Sequence, residues 1–196
     1  MAYAAVATPN VLTDPGILYI APLGTSVPTN TVAGSVFTDI PAAAFIPLGA
    51  TEDGAEFSYS SKVEPIEVAE FLDPIKQVTV AREGGIAFNL AGYTLSNYRR
   101  ALNGGVAALT PTTGTGATAL YQFSPPAPGS ETRCMILWES LDSTVRLLAF
   151  QTLQGGEVKS SFKKAPAYAT IPCEFKFEVP ASGVPFTLFT AGGARG

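Results

Sequence analysis

The sequence predicts one mainly β domain spanning residues 1–196, with one short α-helix packed on its sheet. Nineteen glycines and sixteen prolines punctuate short apolar runs, a texture typical of all-β proteins with many turns. Hydrophobic residues make up 46% of the chain and charged residues only 14%, which excludes a disordered chain. Because monomeric soluble domains carry roughly 25% charge, this low fraction indicates a surface covered in part by other subunits.

Composition also excludes several classes of function. The chain has no histidine, which removes Ser-His-Asp and Cys-His catalysis and most zinc sites. A net charge of −4 with scattered cations disfavours a protein that grips nucleic acid. The N-terminus lacks the basic residues of a secretory signal, and no run reaches the ~18 apolar residues that cross a bilayer. We therefore expect a chain made in a cytoplasm, with no enzymatic activity, no cofactor, no metal and no membrane partner.

Alternation of apolar and polar residues predicts the first strands. Residues 16–21 lie between two prolines and predict a strand. In residues 55–60 and 86–91, apolar side chains alternate with polar or small ones, which predicts strands with one buried face. Gly84 and Gly85 predict a tight turn that joins a strand at residues 75–81 to the strand at residues 86–91.

Residues 94–104 carry the helical signal. Thr94 is a suitable N-cap, Leu95, Tyr98 and Leu102 share a face, and Gly104 supplies a stop. A helix this short is marginal in isolation, so we expect it to pack on the sheet through that face.

The later segments predict further strands and one loop. Residues 134–138 and 146–150 are apolar without alternation, which predicts strands covered on both faces and joined by a turn at 140–143. Residues 170–179 alternate again, with Cys173 on the apolar face. A buried reduced thiol is the favoured state of Cys173, and a disulfide to Cys134 is the alternative. Residues 109–119 are uncharged and of low complexity, which predicts a flexible loop.

An acidic window at residues 52–73 holds seven of the sixteen carboxylates and one cation, Lys62. Paired carboxylates suggest a glycosidase, a calcium site, or a negative surface without chemistry. The order of residues in TEDGAE does not suit a calcium loop, and any two acids would satisfy a glycosidase. A carbohydrate-binding β-sandwich would need an exposed aromatic cluster, whereas Trp138 lies inside an apolar run. We favour a surface that is solvated or faces another subunit.

Taken in order, the acidic turn, the alternating strands, the proline-flanked acidic segment and the capped helix of residues 48–105 resemble the core of a known family. These are the major tail tube proteins of long-tailed, non-contractile (siphovirus-type) bacteriophages. The resemblance implies a β-sandwich or partial β-barrel whose subunits form hexameric rings, stacked as the conduit for genome delivery. It implies a virion protein, assembled in the host cytoplasm, with itself and the tape-measure, terminator and distal tail proteins as partners. DNA would pass through without specific binding.

The resemblance also implies roles for particular residues. Residues 60–76 resemble an extended loop that reaches the adjacent ring, and its apolar residues are candidates for inter-subunit contacts: Ile66, Val68, Phe71 and Leu72. Negative charge on the wall of a conduit would repel phosphates, and Glu56, on the polar side of a predicted strand, is the candidate acid facing the lumen. The alternative function is another ring-forming virion protein of related fold, a tail terminator or head decoration protein. Residues 1–45 match no part of the family pattern.

Overall fold

The computed structural model describes residues 15–39, 44–67, 73–160, 168–181 and 183–191. Within these residues the chain is mainly β, with antiparallel sheets and one short α-helix, which confirms the predicted class. The elements are, in chain order, β1 (Ile17–Pro22), β2 (Val32–Ala33), β3 (Val36–Phe37), β4 (Ile46–Pro47), β5 (Thr51–Ile66), β6 (Lys76–Leu90), α1 (Leu95–Ala101), β7 (Pro111–Thr113), β8 (Leu120–Tyr121), β9 (Cys134–Glu139), β10 (Val145–Gln154), β11 (Ile171–Phe177) and β12 (Phe186–Thr190). Among the described residues, no helix has the length and apolar character needed to span a membrane.

The main sheet has eight strands and forks at β10. Its order is β4-β1-β9-β10-β11-β6-β5, and β12 also pairs with β10. The first half of β10 pairs with β12 and its last three residues pair with β11, along the same edge. The pairing with β9 shifts register between Ala149 and Thr152. Such an irregularity bends a strand and increases its twist, which lets one strand serve two neighbours.

The core lies on both faces of the central strands. Alternate residues of β9 enter different clusters, with Cys134 and Ile136 in one and Met135 and Leu137 in the other. Leu148 of β10 is completely buried in the second cluster. The prediction that the two apolar runs form strands covered on both faces is therefore confirmed.

The predicted turn at Gly84 and Gly85 is wrong, because β6 runs without interruption through both residues. A Cβ added to Gly85 would lie 2.9 Å from the carbonyl oxygen of Phe175, and one added to Gly84 would lie 3.0 Å from Cδ2 of Tyr59. The glycines permit the close approach of neighbouring groups in mid-strand, a use of glycine that sequence alone does not separate from a turn. β6 pairs with β5 from Thr51 to Ile66 on one side and with β11 on the other.

The helix begins as predicted and packs differently. Thr94 Oγ1 accepts a hydrogen bond from the backbone N–H of Asn97 at 3.2 Å, which confirms the N-cap. At the other end Asn103 adopts a positive φ of 55°, and Gly104 N–H donates to the Arg99 carbonyl at 2.7 Å, a Schellman motif. Tyr98 packs against the core, but the fully buried helix residues are Asn97 and Ala101.

Amide side chains explain how α1 is docked. Asn97 Nδ2 donates to the carbonyls of Leu48, at 3.3 Å, and Gly92, at 2.9 Å. The Asn103 amide donates to the Gln154 carbonyl at 2.8 Å and accepts from the Gln154 N–H at 2.9 Å, so it continues the pairing at the end of β10. Leu95 is exposed and Leu102 half-buried, so the predicted apolar face is wrong in these two residues.

In the described part of the chain, six strands lie where none was predicted: β2, β3, β4, β7, β8 and β12. The hairpin β2–β3 falls in the region that matched no pattern, and β12 follows the strand that was expected to be the last. Within the predicted loop 109–119, Pro111–Thr113 pairs with Leu120–Tyr121 around a short 3₁₀ turn at Gly116–Thr118. The flexibility of that loop stays a prediction.

Candidate functional site

The outer part of the β5–β6 hairpin is the main candidate for a functional surface. We call it the ribbon and define it as residues 60–66 of β5 paired with residues 76–83 of β6. The first part of the predicted extended loop 60–76 is therefore strand, since β5 continues to Ile66, where the Ile66 carbonyl accepts a hydrogen bond from Ile75 N–H at 3.0 Å. Of the four predicted contact residues, Ile66 is described and exposed, whereas Val68, Phe71 and Leu72 lie outside the described residues.

The ribbon exposes apolar side chains that the body of the protein does not cover. Every residue of the ribbon is exposed. Among the described strands β5 is the last of the sheet and has β6 as its single partner, so its outer edge presents backbone groups that no described strand pairs. Several large exposed apolar side chains on one projection are typical of interaction surfaces. Its large apolar residues, with their immediate neighbours, are Tyr59, Val63, Ile66, Ile75, Val78 and Val80.

An aromatic cluster fastens the base of the ribbon to the body. The Phe186 ring of β12 lies 5.2 Å from Phe57, 5.3 Å from Tyr59 and 5.5 Å from Phe177, centroid to centroid. Phe57 and Tyr59 meet Phe186 edge to face, so these rings pack on one another instead of presenting the flat faces on which sugars stack. The sequence reasoning missed this cluster because Phe186 lies in the strand that was not predicted.

Glu56 lies on the polar face of the sheet, as predicted. It is exposed and directly opposite Ala87 of β6, which is in turn opposite Glu174 of β11. The small Ala87 leaves an open groove of about 430 Å³, whose lining includes Asp53 and Glu157 besides these two carboxylates. Among the described residues, no group of three or more possible ligands is placed to hold a metal ion. The arrangement is a negative surface, and whether Glu56 faces a lumen stays a prediction.

A second concentration of charge lies at the end of the β9–β10 hairpin, where Arg146 is completely buried, Glu139 is buried and Asp39 is partly exposed. Arg146 Nε donates to Glu139 Oε2 at 2.7 Å, and its Nη1 donates to Asp39 Oδ1 at 2.8 Å. Its guanidinium carbon also lies 4.3 Å from the centre of the Phe37 ring. This network attaches the β2–β3 hairpin to the body, and nothing in the apolar run 146–150 indicated it.

The network shifts the titration of Asp39. Burial opposes ionisation of this carboxyl group, but hydrogen bonds from the Arg146 side chain and the Asn30 N–H outweigh it, so the pKa of Asp39 lies below its ordinary value of 3.8. Asn30 N–H donates to Asp39 Oδ2 at 2.6 Å. The charged form is stabilised by folding, which makes the network a structural element sensitive to acid.

Both cysteines are free and buried, which confirms the reduced thiol predicted for Cys173 and shows that the alternative disulfide is not formed. Burial raises the pKa of Cys134 to about 11 and that of Cys173 to about 12. Because the thiolate is the reactive form, neither sulfur is suited to nucleophilic chemistry at neutral pH. Trp138, predicted as core, packs against the first core cluster, and its Nε1–H donates to the Pro15 carbonyl at 3.0 Å.

No protein-family model matches the sequence, and no curated protein matches it.

Proposed function

We propose that this chain is a structural virion protein that assembles into hexameric rings stacked as a phage tail tube. The observation that carries the proposal is the ribbon, an exposed two-stranded extension with apolar side chains and an open edge at β5. A second copy of the chain would cover those side chains. Closure of a ring removes every open strand edge, which is a common solution to the hazard of edge strands.

The length of the ribbon supports a contact beyond the body of the subunit. A paired strand rises about 3.3 Å per residue, so residues 60–66 project roughly 20 Å from the base of the hairpin. The residues of this projection are exposed, and no described part of the chain covers either of its faces. The tape-measure, terminator and distal tail proteins would be the further partners of such a tube.

Electron microscopy tests the proposal directly. We expect negative-stain images of the purified protein to show long hollow tubes, and light scattering to show a mass that rises with protein concentration. Isolated rings would support the tail terminator or head decoration alternative. A protein that stays monomeric at every concentration would contradict both functions.

The polar face would act as a wall that DNA does not bind. Glu56 and Glu174 flank Ala87 on that face, and the chain carries a net charge of −4. We expect no duplex binding at physiological salt, where non-specific binders reach dissociation constants of about 10⁻⁴–10⁻⁶ M. Micromolar binding by the unmodified protein would contradict the repelling wall.

A charge reversal tests the place of Glu56 in this wall. In a phage that carries Glu56→Lys, we expect intact tails and slower genome ejection, because cations would line the path in every ring. Glu131→Lys is the matched control, since Glu131 lies in the loop before β9, outside both the polar face of the sheet and the ribbon. Equal ejection rates in the two variants would show that Glu56 does not face the lumen.

A further inference from the structure

A groove beside α1 has the chemistry of a docking site. It has a volume of about 420 Å³, and its walls are mainly apolar: Ile46, Leu95, Val106, Ala107, Ala108, Leu109 and Tyr121. Arg100, in the last turn of the helix, also lines it. The groove therefore combines aliphatic walls with one cationic side chain.

Arg100 has no counter-charge within the described part of the chain. Its Nη1 donates to Asn97 Oδ1 at 2.9 Å, and no described carboxylate forms a salt bridge with it. Burial and the neighbouring charge of Arg99 lower the pKa of Arg100. Arg99 differs, since its guanidinium donates to the carbonyls of Gly104 and Ala107. A half-buried guanidinium with donors to spare suits a carboxylate ligand.

The described residues at the outer end of the ribbon have the complementary chemistry. We call them the ribbon end, and they are Ile66, Glu67, Asp73 and Ile75. Glu67 and Asp73 are exposed, and neither forms a salt bridge with a described residue. They stand beside Ile66 and Ile75, which are 46% and 58% exposed. Carboxylates next to exposed aliphatic side chains would match a groove that offers a guanidinium next to apolar walls.

The groove and the ribbon end lie at opposite ends of β5, so a chain cannot fill its own groove. Ile46 of the groove belongs to β4, which ends only four residues before β5 begins at Thr51. Ile66 is the other end of β5, and at about 3.3 Å per residue the two ends are separated by roughly 50 Å. A contact between these two different surfaces on neighbouring copies is heterologous, and contacts of this kind extend into open assemblies.

We propose that the groove beside α1 receives the ribbon end of a second copy, with Arg100 paired to Glu67 or Asp73 and the two isoleucines against the apolar walls. The proposal rests on the tube assembly proposed above, because stacked rings supply a second copy in head-to-tail order. It identifies the groove beside α1 as the surface that receives the ribbon end, and Arg100 as the charged residue that makes this contact specific.

Disulfide cross-linking between two variants tests the contact. Ile66→Cys and Leu95→Cys place thiols on the ribbon end and the groove wall, and the buried native cysteines give little background. After the two variants are mixed and mildly oxidised, we expect a linked dimer. The matched control mixes Ile66→Cys with Val179→Cys, whose position is 68% exposed and outside the groove, and should give none.

The outcomes separate this proposal from the proposed function. Tubes without the cross-link, or an equally strong cross-link in the control, would overturn the docking site and leave the tube function standing. A cross-linked species without tubes would support the contact and contradict the tube. Absence of both tubes and cross-link would overturn both.

Charge reversal with rescue tests the role of Arg100. Arg100→Glu should raise the concentration needed for assembly by about tenfold, a modest effect for an interfacial charge pair. Lys159→Glu, the same change of charge at an exposed site outside the groove, should not alter it. Adding Asp73→Arg or Glu67→Arg to Arg100→Glu should restore assembly in one of the two double variants. Circular dichroism and thermal melts check folding, and failure of both rescues in folded protein would overturn the pairing.

Discussion

The body around β10 and the ribbon place similar residues in opposite settings. Arg146 in β10 is completely buried between two carboxylates, whereas Arg82 in the ribbon is exposed and forms no salt bridge with a described residue. Leu148 in β10 is completely buried, and Val80 in the ribbon is 49% exposed. Side chains in the body contribute to the stability of the monomer, whereas those in the ribbon are exposed and, on the proposed function, would be covered in an assembly.

The largest expected effect is at Arg146. Arg146→Met keeps much of the side-chain volume but leaves the buried Glu139 and the partly exposed Asp39 without their cation. Loss of one member of a buried ion pair costs about 3–5 kcal/mol in the free energy of unfolding. Denaturant unfolding followed by circular dichroism measures this difference.

Arg82→Met is the matched control for Arg146→Met. The same change on the ribbon removes no described salt bridge, so we expect the free energy of unfolding to change by no more than about 0.5 kcal/mol. Equal losses at the two arginines would contradict the distinction between the body and the ribbon.

Sequence patterns predicted those parts of the fold that depend on local alternation. Ile86 and Phe88 are buried as the alternation of β6 indicated, and the two apolar runs became β9 and β10. The pairs that fix the rest are distant in sequence. Asp39 meets Arg146 across more than a hundred residues, and Asn103 meets Gln154 across about half that distance, so no local pattern indicates either contact.

The candidate surface lies where an extension was predicted, but it is a pair of strands and not a loop. The resemblance indicated an extension at residues 60–76, whereas the glycine pair at 84 and 85 predicted a turn that β6 does not make. A glycine pair fits both a turn and a mid-strand site of close approach, and only the partner strand distinguishes them. Here the partner is Phe175 of β11, about ninety residues away in the sequence.

Gly85→Ala tests the corrected path of β6 and should have the next largest effect. The new Cβ would lie 2.9 Å from the Phe175 carbonyl oxygen, which is backbone and cannot move without disturbing the β6–β11 pairing. Overpacking of this kind costs about 1–3 kcal/mol. In an exposed turn the same change would have little effect on chemical denaturation, and that result would contradict the continuous strand.

The stability of the body should depend on pH through Asp39. Its pKa is depressed in the folded state, so its contribution is complete above the unfolded value near 3.8 and is lost as pH falls through the lower folded value. We expect Asp39→Asn to be less stable than the original protein at pH 6, with the difference narrowing towards pH 3. Thermal melts across this range measure it.

Glu64→Gln is the control for the titration of Asp39. Glu64 is on the ribbon and forms an exposed salt bridge with Lys62, a kind of pair that contributes little to stability. The melting temperatures of Glu64→Gln and the original protein should therefore stay close at every pH. If the difference in melting temperature between Asp39→Asn and the original protein does not vary with pH, the stability lost in the variant does not come from the charged form of Asp39.

Changes on the ribbon should have the smallest effect on the stability of the monomer and a large effect on assembly. Val63→Ser with Val80→Ser removes two apolar side chains that are 46% and 49% exposed. Surface changes usually alter the free energy of unfolding by no more than about 0.5 kcal/mol, so chemical denaturation should scarcely distinguish the variant. If a second copy covers these side chains, the variant should form few or no tubes in negative stain.

Hydrogen exchange adds a residue-level check to the ribbon variant. Amide protection in residues 60–66 should be low in the free subunit, because these backbone hydrogen bonds lie in exposed structure, and should rise on assembly. Leu148 and its neighbours in β10 should be protected in both states, since that strand is buried in the subunit itself. A destabilised monomer, or tubes that form as well as those of the original protein, would contradict the division of roles between ribbon and body. Equal protection of residues 60–66 in the free and assembled forms would show that assembly leaves the ribbon uncovered.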